Sequence, residues 1–249
     1  MTDLKVRSRF IIFSKKSISL SIAGCILVLA AHSQEKEEFR PNHDNWPYYF
    51  GMSISYNSSN LHSSKHPTFL QNDSVLAVEP GSSGGISLGL VGTLQLSPRF
   101  SLRANPQLII GGAKYFTYSL KYPTFDEKAV EKKTLPSNIV SFPFQVKFNS
   151  DRITNFRTYM MAGIKYDIDL ASNSQARNAE DLVKLKRGDF GVEAGIGFNF
   201  FMRYVTFSPE IKISNGLTNI HSRDPSLKFS NVLDKLNSRM VVFSIILED

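Results

Sequence analysis

The stretch "YYFGMSISYN", residues 48–57, carries the pattern that decides the fold. Apolar and polar residues alternate along it, which predicts a β-strand with one apolar face and one polar face. The apolar set is Tyr48, Phe50, Met52, Ile54 and Tyr56. A soluble sandwich would turn this set inward, whereas a transmembrane barrel would turn it toward lipid. The strand alone fits both folds, so the rest of the sequence has to distinguish them.

Further segments alternate in the same way along the chain. Most reach about ten residues, the length that a tilted strand needs to cross a bilayer. They span residues 84–96, 100–120, 138–148, 156–170, 190–200, 204–214 and 238–249, the last without a clear register. Pro106, Pro143 and Pro209 fall inside three of these segments. Each proline removes a donor from the ladder, so we expect a bulge at each position.

The connections between these segments alternate between long and short without exception. The long ones are residues 58–83, 121–137, 171–187 and 215–237, and the short ones are 97–99, 149–155 and 202–203. Tight periplasmic turns and extended outer loops are typical of outer-membrane barrels. The sequence therefore predicts an all-β fold over residues 48–249: an eight-stranded antiparallel transmembrane outer-membrane β-barrel. The polar face of residues 48–57 would then line a narrow lumen that side chains fill.

The N-terminus has the composition of a signal peptide. Residues 1–33 contain five basic residues, an apolar run and a small-residue end, "AHS". This pattern predicts cleavage between Ser33 and Gln34 and export to the outer membrane. Residues 34–47 are polar, and we expect a loose periplasmic tail. An uncleaved membrane anchor is the alternative, although the apolar run is short for a span.

The single cysteine allows a second interpretation of the N-terminus. "IAGC" at residues 22–25 resembles a bacterial lipobox, which would make Cys25 a lipidated N-terminus. Cys25 is followed by the apolar "ILVLAA" rather than by a polar tether, which favours the cleaved signal peptide. On that interpretation the mature chain lacks cysteine, which excludes disulfides, thiol catalysis and thiolate metal sites.

The charge of the chain gives no support for a nucleic-acid partner. The formal net charge is +7 over 249 residues. Residues 1–33 hold five basic residues and one acidic residue, so the mature chain keeps only about +3. Such a balance does not form a basic surface for nucleic acid.

Charged residues recur on the predicted lumen face. They are Arg103, Lys147, Arg157, Lys165, Asp167, Glu193, Glu210 and Lys212. We interpret them as a structural ion-pair network that fills and stiffens the barrel, with a proton or ion path as the alternative. A two-residue turn at 202–203 predicts Glu193 opposite Lys212.

Two histidine motifs are candidate sites of chemistry. "HSSKH" at residues 62–66 lacks further metal ligands at a suitable spacing. "HSRD" at residues 221–224 places His, Ser and Asp close in sequence, but adjacency is not the geometry of a catalytic triad. We therefore expect no catalytic, cofactor or metal site.

The long loops carry a resemblance to a known family. "DLASNSQARNAEDLVK" (169–184) and "SNGLTNIHSRDPSLKFSNVLDKL" (214–236), with "PTFLQNDSVLAVEPGSSGGISLGLV" (67–91), resemble the PorT family of Bacteroidota outer-membrane proteins. The resemblance covers residues 48–248.

The PorT resemblance implies an accessory role in the type IX protein secretion system, which exports cargo bearing C-terminal sorting domains and shares parts with gliding motility. It implies no catalytic residues. The expected partners are other secretion components and the lipid bilayer, with docking in loop 171–187 or loop 215–237. The alternative is a free-standing small barrel, either structural and OmpX-like or a lipid-modifying enzyme.

Overall fold

The structure is a computed structural model. It describes residues 37–65, 75–112, 114–122, 125, 128–135, 137–172, 185–222 and 233–249. Contacts divide the chain into two units, Met1–Glu38 and Phe39–Asp249. The second unit contains every strand described here.

Antiparallel strands build the second unit after one short 3-10 helix, Pro41–Asn45. The strands are β1 (Tyr48–Lys65), β2 (Val75–Gly81), β3 (Ser83–Gln95), β4 (Phe100–Ala104), β5 (Gln107–Gly111), β6 (Lys114–Leu120), β7 (Val130–Leu135), β8 (Ile139–Asn149), β9 (Phe156–Asp169), β10 (Gly188–Phe201), β11 (Thr206–Gly216) and β12 (Leu233–Glu248).

The main sheet closes on itself because β1 pairs with both β12 and β3. β4 and β5 lie end to end and together occupy one strand position of the barrel, which we call a stave. Both pair with β3 on one side and with β8 on the other. Among the described residues, eight staves surround the interior in the order β1, β3, β4–β5, β8, β9, β10, β11, β12. The predicted all-β antiparallel barrel is confirmed.

The exposure of β1 shows which of its faces points outward. Met52 is 65% exposed, whereas Ser53 and Ser55 are each 4% exposed. The other staves repeat this inverted pattern, with large apolar side chains outside and polar ones inside. A continuous apolar outer band is unfavourable in water and matches lipid. Among the described residues no helix is long and apolar enough to span a membrane.

The bulges expected at the three prolines are absent, and that expectation was wrong. Pro143 and Pro209 lie inside paired strands whose register continues unchanged. Pro106 lies between β4 and β5, yet the register against β8 is the same on both sides of it. Asn105, next to Pro106, donates its backbone N–H to the Pro143 carbonyl (3.2 Å). Pro106 and Pro143 lie at the same level of neighbouring strands, and each lacks an N–H donor. The hydrogen-bond ladder is therefore interrupted there, but the register of the strands does not shift.

The predicted register between β10 and β11 was wrong by two residues. The turn contains residues 202–205, closed by a hydrogen bond from Met202 N to the Val205 carbonyl (2.9 Å). Glu193 therefore lies opposite Ser214, and Lys212 lies opposite Gly195. A shift of two keeps every side chain on its predicted face, because the side-chain period of a strand is two.

A second sheet extends the barrel at the end where the long loops lie. It has three strands in the order β2, β6, β7, and β1 continues through residues that were expected to form loop 58–83. Loop 121–137 likewise contains β7. The predicted loops at this end are thus partly folded β-structure.

Candidate functional site

Arg103 is the centre of the interior polar network. Its guanidinium is fully buried and pairs with Glu210 through Nη1 and with Glu248 through Nη2 (2.9 Å to Oε1). Tyr159 donates its hydroxyl hydrogen to Glu210, and Thr93 donates to Glu248 (3.1 Å). One cation and two carboxylates from separate staves are thereby fixed at one level of the barrel. Partners on both sides of each charge are what a buried ion pair requires.

Two lysines surround this centre without hydrogen bonds to the described residues. Lys212 Nζ is 3.8 Å from Glu210 Oε2 and is almost fully buried. Lys147 Nζ is 4.0 Å from the ring centroid of Tyr159. A cation over an aromatic face is stabilised by the ring quadrupole, more strongly when water is excluded. Both lysines thus contribute electrostatically to the interior rather than through conventional hydrogen bonds.

The other predicted members occupy separate levels of the interior. Arg157 pairs with Asp44 (2.8 Å) at the end of the barrel that bears the short turns. Glu193 accepts a hydrogen bond from Gln145. Lys165 pairs with Asp167 (2.5 Å) toward the end that bears the long loops. The structure therefore places all eight predicted residues inside the barrel, in several local groups rather than one continuous network.

Sequence reasoning missed several interior partners. Glu248 lies on the last strand, whose register could not be read from the sequence. The signal that could have found it is the alternation along β12, which places Glu248 on the same face as Ser244 and Ile246. All three residues are buried. Tyr159 lies two residues after Arg157 on β9 and therefore on the same inward face. It is uncharged, so the predicted set of charged residues did not include it. Asp44 precedes β1 and offered no strand pattern.

A layer of charged residues lies near the long-loop end. Asp189 accepts a hydrogen bond from Ser238, and Asp167 accepts one from Ser141 (2.5 Å). These aspartates line a cavity of about 20 Å³ with Lys114. Such a space holds about one water molecule, which leaves no room there for a solute.

An apolar cluster caps the interior above that layer. It brings together residues from the second sheet, from the extensions of β1 and β12, and from the long loops. Its members are Leu61, Val75, Val78, Phe116, Tyr118, Leu120, Leu135, Leu185, Ile220, Leu233 and Leu236. The extended strands therefore have a hydrophobic core of their own beyond the lipid-facing band, and this core seals the long-loop end.

The opposite end of the interior is covered by residues 39–47, which we call the clasp. Phe39 N donates to Asn155 Oδ1 (2.8 Å), and Arg40 Nη1 donates to Thr206 Oγ1 (3.2 Å). Gln95 donates its side-chain amide to the Asp44 carbonyl (2.7 Å). The loose tail expected over 34–47 is thus ordered from Phe39 onward. Its partners are distant in sequence, so composition alone could not reveal them.

His43 anchors the clasp. Its Nε2 donates to the backbone carbonyl of Asp249 (2.9 Å), and its ring packs against Tyr49, Phe201 and Trp46 with centroids 4.9, 5.7 and 5.3 Å away. Burial lowers the pKa of His43, although the Asp249 carbonyl acts in the opposite direction. The docked imidazole is therefore held in its neutral form.

The pH dependence of clasp docking follows from His43. Folding lowers its pKa, so the undocked segment binds the proton more readily; docking is complete above the ordinary histidine pKa of about 6.5 and weakens as pH falls below it. We expect the protection of the amides in residues 39–47, after correction for the intrinsic pH dependence of exchange, to fall as the pH is lowered from about 7.5 to about 5.5, on either side of that value. His43→Gln should remove this pH dependence and cost about 1 kcal/mol through lost ring packing.

His62 supplies the control for that measurement. It is exposed on β1, so His62→Gln should leave the pH dependence of clasp exchange intact. An unchanged pH profile in His43→Gln would contradict the assignment.

The histidine motifs do not converge on a site in the described part of the chain. His221 is buried, and its backbone amide donates to Asn219 Oδ1 (3.0 Å). His66 and Asp224 lie outside the described residues. Among the residues that the structure describes, no cluster of three or more His, Cys, Asp or Glu side chains could hold a metal ion.

A closed antiparallel barrel with an apolar outer band and a filled polar interior defines the class of outer-membrane β-barrel proteins. Residues 33–222 match the family described as outer membrane protein beta-barrel domain, and the chain belongs to that family. No curated protein matches the sequence.

Solved outer-membrane proteins are similar in fold at low sequence identity. OprG from Pseudomonas aeruginosa is 15% identical with a TM-score of 0.43, covering 81% of this chain and 93% of its own. Neisserial surface protein A is 11% identical with a TM-score of 0.38, covering 79% and 95%. Ail, the attachment invasion locus protein of Yersinia pestis, is 8% identical with a TM-score of 0.36, covering 82% and 100%.

Proposed function

We propose that this outer-membrane barrel is an accessory component of the type IX secretion system. It acts by contact with other components of that machine in the export of cargo bearing C-terminal sorting domains. The observation that carries the proposal is the resemblance of residues 48–248 to the PorT family, which includes the long loops 171–187 and 215–237. The signal peptide over 1–33, cleaved near Ser33, delivers the chain to the outer membrane.

The filled interior favours a function through protein–protein contact over a function in conduction or catalysis. Arg103, Glu210 and Lys147 fill the middle of the barrel and are buried. The apolar cluster and the clasp cover the two ends. An eight-stranded barrel filled in this way cannot pass a protein, so partners have to bind its outside. The long-loop end has folded β-structure beyond the lipid-facing band, which favours it as the binding end.

Deletion of the gene tests the proposal. We expect cargo with the sorting domain to accumulate in the periplasm or to be degraded, while bulk outer-membrane permeability changes little. Cell-surface cargo activity is the readout. Normal export in the deletion strain would leave the free-standing barrel, structural or lipid-modifying, as the function.

Complementation locates the docking surface. Replacing only residues 173–184 by a Gly/Ser linker retains Ser172 and Leu185, which are hydrogen-bonded to each other (2.7 Å). We expect an inserted barrel, judged by heat-modifiable migration, that does not restore export. The matched variant replaces residues 223–232 in the same way. Loss of export only in that variant would move docking to loop 215–237.

A further inference from the structure

The outward face of the β1–β12 pair changes character at one level. Tyr56 and Phe243 are paired, and both side chains are more than half exposed. Toward the short-turn end every outward residue of both strands is apolar as far as Tyr48 and Leu247. Toward the long-loop end the outward residues of β1 become polar from Ser58 onward, and those of β12 become polar beyond Val241. Aromatic residues at such a transition are typical of the membrane–water interface.

Two cations stand on this face beyond the transition, Arg239 four residues and Lys235 eight residues from Phe243 along β12. Arg239 and Lys235 are both exposed and four residues apart on β12, about 13 Å along an extended strand. Asn60 lies opposite Arg239, and Ser64 lies opposite Lys235. Between them His62 pairs with Asn237. We call Arg239 and Lys235 the basic row.

The basic row lacks ionic partners within the described part of the chain. Neither side chain forms an ion pair with a described residue. β1 contains no acidic residue along its length. Asp234 is the one carboxylate in the outer part of β12, residues 233–241, and its backbone carbonyl faces Asn219 and His221. The row therefore presents two uncompensated cations on the same outward face as an apolar, lipid-facing surface.

We propose that the basic row, with the polar side chains of Asn60, His62 and Ser64, binds the phosphate group of an anionic lipid headgroup in the leaflet at the long-loop end. A guanidinium binds phosphate oxygens in pairs, and a lysine adds a mobile point charge. Continuity with the apolar band selects a membrane lipid, because its acyl chains cover Tyr56 and Phe243 while its headgroup reaches the row. Bound headgroups would fix the depth of the barrel in the membrane.

Retention of a defined lipid by the purified full-length barrel tests this proposal. The probes are phosphatidic acid and phosphatidylcholine in matched micelles, read by native mass spectrometry. We expect the wild type to retain phosphatidic acid preferentially. Arg239→Gln with Lys235→Gln should lower that preference about thirtyfold, from two cations near an anionic surface. Arg239→Lys should keep part of it.

Matched variants and a competition arm complete the test. Lys128→Gln with Lys132→Gln removes two exposed cations of the outer region away from the lipid-facing band and should leave retention unchanged. Heat-modifiable migration confirms that each variant is folded. Equal retention of both lipids by the wild type, or equal loss in both double variants, would overturn the proposal. Displacement of phosphatidic acid by an equal concentration of inorganic phosphate would also overturn it, in favour of a free-anion site.

Discussion

Arg103→Met is expected to destabilise the barrel by about 3–5 kcal/mol, because it leaves the carboxylates of Glu210 and Glu248 buried without their cation. Both carboxyl groups are essentially inaccessible to solvent, so water cannot replace the lost partner. The measurement is the free energy of unfolding in denaturant, with the barrel in lipid vesicles. The nearby Lys147 and Lys212 reduce the loss but lie farther from the carboxylates than the guanidinium does.

Two further variants separate a buried ion pair from a general loss of charge. Combining Arg103→Met with Glu210→Gln and Glu248→Gln should recover part of the stability, since neither carboxylate is then left without its cation, although Lys147 and Lys212 remain buried beside the site. Arg99 pairs with Asp151 (3.3 Å) at the surface, where both side chains are more than half exposed. Arg99→Met should therefore change little. An Arg103→Met barrel as stable as the wild type would mean that the interior pairs do not form.

Phe144→Arg is expected to destabilise the inserted barrel by about 2–4 kcal/mol, the cost of a cation facing lipid near the midplane. Phe144 is 59% exposed and lies near the middle of β8. Leu90 and Ile196 face outward in the same way, and arginine there should have a similar effect. Folding into vesicles, read by heat-modifiable migration and denaturant titration, measures the loss.

A depth series on β8 provides the control. Asn138 is exposed just before β8, at the level of the long-loop end. Asn138→Arg should cost no more than about 1 kcal/mol because the penalty falls toward the interface. Phe144→Leu should be nearly neutral. Equal effects of arginine at both positions would mean that the outward face does not lie in lipid.

The alternation of residues 48–57 predicted a strand and its two faces, and the regular exchange of long and short connections along the chain predicted the barrel. The turn at 202–205 shows where this reasoning ends. Alternation fixes which face a residue occupies but not its partner, so Glu193 was placed inside correctly and opposite the wrong residue. The missed role of Glu248 has the same origin, since it depends on how β12 registers against β1 and β11.

The two ends of the barrel were beyond the reach of sequence patterns for a different reason. His43 contacts Asp249, and Asp44 contacts Arg157, so both depend on chain closure. Two strands of the second sheet, β2 and β7, form in segments that were assigned to loops by their length, whereas β6 lies in the segment 100–120 that was predicted as one membrane strand. Val75 and Phe116 belong to the core of this sheet but lie far apart in the chain, so the pairing of β2 with β6 could not be predicted from either segment.

The orientation of the two faces of residues 48–57 is the central claim, and a single-cysteine scan tests it most directly. With Cys25→Ser as background, a nitroxide is attached in turn along residues 50–57 of the barrel in vesicles. A lipid-facing apolar face should give a period of two: labels at Phe50, Met52 and Ile54 collide readily with dissolved oxygen. Labels at Ser53 and Ser55 should be shielded from both oxygen and an aqueous nickel complex. Ready access of the nickel complex at Ser53 and Ser55, with Met52 and Ile54 shielded, would contradict the account and indicate a sandwich with its apolar face inward.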